Sequence, residues 1–220
     1  YGEPVLAVTI TTNSLDTAAL AATLGFDFLW VEMEHSPVTL ETLRSMVLAT
    51  RSLPATVFAR VPVVELWTAK RVLDQGVTGV IFPFCSTPEL AARAAQACRY
   101  PPAGRRGSGA GLAMETWPGP GNYYDSADAN IVTIAVIEEA AAVERIDEIA
   151  ATPGIDVLFI GVSDLSFSRG LRGKHKEPTH NAAIDRIVAA GRKQGKYLGR
   201  PADNTDPNRP IPSEGFHMFQ

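Results

Sequence analysis

Short runs of β-branched, aromatic and aliphatic residues recur along this chain with helical stretches between them, and that alternation restricts the fold more than any other feature. Val5 to Ile10 precedes an Ala- and Leu-rich stretch from Leu15 to Leu24, with Asn13 or Ser14 as its cap and Gly25 as its end. Phe28 to Val31 precedes Thr39 to Arg51, and Thr56 to Val61 precedes Leu66 to Gln75, which stops at Gly76. Val77 to Phe82 precedes Pro88 to Arg99. Repeated βα units of this kind feed a parallel sheet. The rhythm breaks from Tyr100 to Asn130, a stretch with many glycines and prolines that reads as a long loop with a job or a partner. It resumes with strand Ile131 to Ile137, helix Ala140 to Ala151, strand Ile155 to Ile160, a polar stretch Arg169 to Thr179 and helix Ala182 to Gln194. Lys196 to Gly199 and Gly215 to Phe219 complete a set of eight candidate strands, the number that closes a (β/α)8 TIM barrel, here without its last helix.

Composition sets the limits within which that fold must work. With 220 residues, 45% hydrophobic and 20% charged, the chain reads as one barrel domain over residues 1–220. A net charge of −4 with scattered basic residues leaves no electrostatic footprint for a phosphate backbone, so nucleic acid is not expected as a partner. No apolar run approaches the roughly 20 residues of a membrane span, and the opening residues lack the charged and apolar regions of a signal peptide, so the expected location is cytoplasmic. Cys85 and Cys98 read as buried reduced thiols, since neither has a His or a second Cys at a metal spacing.

In a parallel barrel the residues just after each strand face one another across one end. Reading only those positions gives Glu32, Glu34 and His35 after the second strand and Arg60 at the end of the third. It adds Pro83, then Glu138 and Glu139 after the fifth, and Ser163 and Asp164 after the sixth. Glu138 and Asp164 can hold a hard divalent cation while waters or substrate oxygens fill the remaining positions, a pattern suited to Mg2+ or Mn2+ rather than zinc. A helix N-terminus enriched in acids accounts equally for Glu138 and Glu139 taken alone, and a charged loop that opens the next helix accounts for Glu32 to His35.

Several ordered segments together resemble the HpcH/HpaI aldolase family, metal-dependent class II enzymes acting on 2-keto-3-deoxy acids. They are Glu34-His35, Ala59-Arg60-Val61-Pro62, Arg99-Tyr100-Pro101-Pro102-Ala103-Gly104-Arg105-Arg106-Gly107, Ile137-Glu138, and Pro153 to Gly161 with Asp164-Leu165-Ser166. The resemblance implies that Glu138 and Asp164 bind a divalent metal, Mg2+ or Mn2+ with Co2+ as a further option, and that His35 is the catalytic base. It implies that Arg60 contacts the ketoacid oxygen and that Asp74 orients the histidine. The amides of Ser163 and Asp164 would hold the pyruvate carboxylate, with Glu32, where the family usually has Asp, among the substrate-binding groups. It implies also a homo-oligomer, commonly a hexamer. Val136 stands where many members carry Gln, Val162 where Pro is usual, and Glu139 where Thr is common; Glu139 is read as facing solvent.

The implied reaction is cleavage of a 4-hydroxy-2-oxo acid to pyruvate and an aldehyde through an enolate stabilised at the cation. Those residue types suit it: a Lewis acid and an arginine stabilise the developing charge, and an imidazole moves the proton of the C4 hydroxyl. No lysine follows a central strand, so a Schiff base is not expected. Two other readings use the same residues: an oxaloacetate decarboxylase like macrophomate synthase, starting from the same enolate, and a non-catalytic ketoacid-binding barrel. Arg105 and Arg106 are read as surface or subunit contacts, with an acidic substrate tail as the alternative partner.

Overall fold

Eight parallel strands close on themselves in the order of the sequence in the computed structural model, which describes residues 3–117, 122–202 and 215–220. They are β1 (Val5–Ile10), β2 (Phe28–Glu32), β3 (Thr56–Arg60), β4 (Gly79–Phe82), β5 (Val132–Ile137), β6 (Val157–Ile160), β7 (Tyr197–Arg200) and β8 (Met218–Phe219). The last strand pairs with both β7 and β1, so closure rests on Val5 opposite Met218 and Leu6 opposite Phe219. The chain is a (β/α)8 TIM barrel.

Ten helices accompany the strands among the described residues: α1 (Leu15–Ala21), α2 (Leu40–Ala49), α3 (Leu66–Leu73), α4 (Pro88–Ala97), α5 (Gly111–Thr116), α6 (Tyr123–Asn130), α7 (Ala140–Glu144), α8 (Ile146–Ala150), α9 (Val162–Ser168) and α10 (Pro178–Lys193). Local chemistry starts four of them. Ser14, Thr39, Thr87 and Asn122 each accept a hydrogen bond from an amide in the first turn, satisfying a donor that has no partner within the helix. None of the helices among the described residues is long and apolar enough to cross a membrane.

Successive strand residues point to opposite faces, which sorts the side chains into two layers. Ala7, Phe28, Trp30, Phe58, Ile81, Ile134, Val136, Val157, Phe159 and Met218 pack together inside the barrel. A larger cluster, including Leu29, Val31, Val57, Val80, Leu158 and Leu198, lies between strands and helices. The interior admits large rings because two strand positions carry no side chain: a Cβ at Gly79 would lie 2.5 Å from the Phe58 ring, and one at Gly199 would lie 2.5 Å from the Phe159 ring. The period of two then has a functional consequence. Continuing the inward rows past the apolar residues brings Glu32 after Phe28 and Trp30, Arg60 after Phe58, and Glu138 after Ile134 and Val136.

The structure departs from the sequence reading in its connections. The stretch from Tyr100 to Asn130 contains α5 and α6, and it joins the end of α4 to the start of β5, which puts it at the leading ends of the strands. Ala113 donates to the Asp74 carbonyl at 3.3 Å and the Trp117 indole to the Gly76 carbonyl, fastening the segment to the end of α3. Arg106 is neither a surface nor a substrate contact: its side chain is buried, paired with Asp74 at 3.4 Å and set over the Tyr100 ring. The Ala140 to Ala151 stretch is two short helices divided at Arg145, α10 begins at Pro178, and α9 occupies a turn that carried no helical signal. Cys85 and Cys98 are free and buried.

Candidate active site

At the carboxyl ends of β2 and β3 the backbone register sets Glu32 directly opposite Arg60. Glu32 is buried and fully engaged. Its Oε1 accepts from the amides of Glu34 at 2.7 Å and His35 at 3.1 Å, and its Oε2 accepts from the Trp30 indole and the Arg60 guanidinium, each at 3.3 Å. Ser36 adds a hydroxyl bond to the Glu32 carbonyl. The resemblance counts Glu32 with the substrate-binding groups, but four donors already fill its carboxylate, and what it does here is fold the turn that presents Glu34 and His35.

Arg60 bridges that turn, bonding Glu32 through Nη1 and Glu34 through Nη2. Burial pushes the Glu34 carboxyl above the usual carboxylate range, and the Arg60 charge pulls it part of the way back. The other Glu34 oxygen lies 3.6 Å from His35 Nε2. With 64% of its side chain exposed, the imidazole faces the open end of the barrel, free to meet a substrate.

Glu138 sits across the mouth at the end of β5, only 2% exposed. Phe84, just past β4, donates its amide to Glu138 Oε1 at 2.7 Å. The other oxygen lies over Gly161, where a Cβ would come within 2.8 Å of it, so the glycine is what makes room. Burial raises the Glu138 pKa to about 7; the Phe84 amide and Arg60 oppose the rise, while Asp164 and Glu34 add to it. Those partners show Glu34, Arg60, Glu138 and Asp164 acting on one region of space. Asp164 and Ser163 lie exposed in the first turn of α9.

Asp74 does not join them. It caps the end of α3, a short turn before β4 begins, and so lies at the opposite end of the barrel, paired with Arg106. The role of orienting His35, which the resemblance gives to Asp74, is therefore not filled by Asp74 within one chain; the carboxylate beside the imidazole is Glu34. Glu139 also departs from its reading. Instead of facing solvent it is half-buried and bonded to Ser86 in the β4–α4 connection. Neither that link nor the Phe84 amide carries a sequence signal, since both depend on two loops meeting.

Among the described residues no group of three or more His, Cys, Asp or Glu side chains is arranged to hold a metal. The donor set on offer is a carboxylate pair, Glu138 and Asp164. It fits a hard divalent cation that draws its other ligands from water and substrate, and it does not fit a zinc site built from protein side chains. The buried carboxylate of Glu138, raised further by the negative charge of Asp164, is the kind of site that a cation relieves.

A barrel with acid–base and charge-stabilising groups at the carboxyl ends of its strands defines an enzyme of the TIM-barrel type. The HpcH/HpaI aldolase/citrate lyase family matches residues 9–220, and the chain belongs to that family. It is 36% identical over 203 residues to a hydroxypyruvate/pyruvate aldolase of Paraburkholderia phytofirmans, covering 90% of this chain and 78% of the relative. It is 38% identical over 185 residues to a 4-hydroxy-2-oxovalerate aldolase of Novosphingobium aromaticivorans, covering 82% of this chain and 70% of the relative. Among solved structures, an HpcH/HpaI aldolase/citrate lyase family protein from Burkholderia cenocepacia J2315 superposes with a TM-score of 0.89 at 33% identity, covering 99% of this chain and 87% of the other. These relatives place the chain among carbon–carbon lyases.

Proposed function

We propose that this protein is a divalent-metal-dependent aldolase that cleaves a 4-hydroxy-2-oxo acid to pyruvate and an aldehyde. The observation that carries the reading is the convergence of Arg60, Glu34, Glu138 and Asp164 on one mouth beside the exposed imidazole of His35. Glu138 and Asp164 would hold the cation, Mg2+ or Mn2+, which when bound supplies a Lewis acid for a ketoacid oxygen.

The protein's own groups do the rest. Arg60, fixed by Glu32 and Glu34, puts a permanent positive charge where the ketone oxygen becomes negative, and it needs no reorganisation to do so. His35 takes the proton from the C4 hydroxyl in cleavage and returns it in condensation, with the Glu34 carboxylate beside its ring at 3.6 Å. By the family resemblance the amides of Ser163 and Asp164 receive the substrate carboxylate. The same resemblance brings a homo-hexamer, which light scattering in solution tests.

Purified protein stripped with EDTA and assayed for pyruvate release from 4-hydroxy-2-oxo acids tests the reading. Turnover should vanish on stripping and return with Mn2+ or Mg2+. Unchanged turnover in EDTA refutes the metal-dependent mechanism. Faster pyruvate release from oxaloacetate than from any hydroxy-ketoacid makes the enzyme a decarboxylase.

A further inference from the structure

Two adjacent carboxylates end β5, and they go different ways: Glu138 turns into the barrel mouth, and Glu139 reaches across to the β4–α4 connection. Glu139 occupies the position before α7 yet makes no capping bond with that helix, and the Ala140 amide is taken by the Ser168 hydroxyl at 2.9 Å. The Glu139 carboxylate bonds the Ser86 hydroxyl instead. Ser86 in turn donates its amide to the Phe84 carbonyl at 2.7 Å.

Phe84 is the centre of this arrangement. Its φ of 49° lies in the left-handed region that non-glycine residues avoid, and such conformations persist only where the surroundings enforce them. The twist aims the Phe84 amide at Glu138 Oε1, which fixes one carboxylate oxygen and leaves the other at the mouth. The Cys85 amide, donating to the Val136 carbonyl at 3.2 Å, fastens the same turn to β5 from below.

We infer that Ser86 and Glu139 are positioning residues for the metal ligand Glu138: their bond clamps the strained Phe84 turn so that the Phe84 amide holds the Glu138 carboxylate in its ligating orientation. The inference rests on the proposed metal reading of Glu138. Glu139 acts through the turn, not through its charge. Groups that orient a metal ligand in this way are worth about 10–100-fold in metal affinity.

The test is Mn2+ binding to the metal-free protein, followed by the electron paramagnetic resonance signal of free Mn2+, with thermal unfolding measured in parallel. Ser86→Ala should weaken Mn2+ binding about tenfold. Its unfolding temperature should stay close to wild type, because the Cys85 bond still anchors the turn. Glu139→Ala should weaken binding too; Ser86→Ala, which also loses the hydroxyl contact to the Phe84 carbonyl at 3.2 Å, should weaken it at least as much, and the two changes together no further than Ser86→Ala alone. Glu139→Gln, which keeps an oxygen for the Ser86 hydroxyl but no charge, should bind within about twofold of wild type, well inside the tenfold loss of the broken link. Wild-type affinity in Ser86→Ala, or equal losses in Glu139→Gln and Glu139→Ala, overturns the clamp. Glu138→Gln separates the two levels: if it abolishes binding while Ser86→Ala does not change it, only the clamp falls, and if it binds Mn2+ normally, the metal reading and the clamp fall together.

Discussion

The two ends of the barrel use the same residue types for opposite ends. At the leading ends of the strands, acids and bases close backbone gaps. Asp27 accepts from the Leu6 amide at 2.8 Å, and Asp156 accepts from the Thr133 amide at 2.7 Å and from Arg99 at 3.2 Å. Lys196 donates to the carbonyls of Thr152 and Ile155. Each charge there meets fixed partners of opposite polarity. At the carboxyl ends, the negative charges of Asp164 and Glu34 act on Glu138 as like charges, with Arg60 as the opposing cation and His35 left exposed. The contrast shows where the fold gives up stability for chemistry, in keeping with the division of labour between the two faces of this architecture.

The largest effect that would sharpen this contrast comes from Glu138→Gln. Removing the carboxylate should lower kcat by about a thousandfold, while the metal-free protein at pH 8 should melt higher than wild type because a buried charge becomes a neutral amide that still accepts from Phe84. A lower melting temperature together with full activity would break the comparison at its strongest point. His35→Ala comes next, with kcat reduced by about 10²–10³, and pyruvate binding by calorimetry retained. An inactive variant that had also lost pyruvate affinity would mean that His35 holds substrate instead of moving a proton.

The leading ends should answer in stability and not in rate. Asp156→Ala strands the Thr133 amide and breaks the partly exposed Arg99 pair, so it should cost about 2 kcal/mol in denaturant unfolding with kcat per folded molecule unchanged. Lys196→Met keeps the buried stem and loses two hydrogen bonds to carbonyls, a change of about 1–2 kcal/mol, again without effect on kcat. Loss of turnover in either variant would mean that the two ends are coupled and the division is not real.

Much of the architecture was legible because it is written locally. The eight strands, the helices after the first four of them and the cap at Ser14, one of the two residues read for it, follow from apolar runs and short-range polar bonds. The helices that escaped notice were α5, α6 and α9, which at 6, 8 and 7 residues are too short to show a sustained apolar period. Glu34, Arg60, Glu138 and Asp164 could be picked out as strand-end residues without a structure. Asp74 could not be placed, because its role depends on which end of the barrel it occupies. Arg106 could not either: a charged residue in a glycine-rich loop reads as exposed, and only the meeting of Asp74, Tyr100 and Tyr123 around it makes it buried.

By itself, the sequence determined that the chain alternates strand and helix, and it put Glu34, His35, Arg60, Glu138 and Asp164 at or just past strand ends; which alternate strand residues face the barrel interior was left to the fold, because both faces of these strands are apolar. Tertiary structure alone decided that Glu32 is spent on folding the His35 turn, that Gly161 leaves room for Glu138, and that Glu139 reaches Ser86. Each of those depends on distances between residues far apart in the chain, and such distances are set by barrel closure and packing, which no local preference encodes.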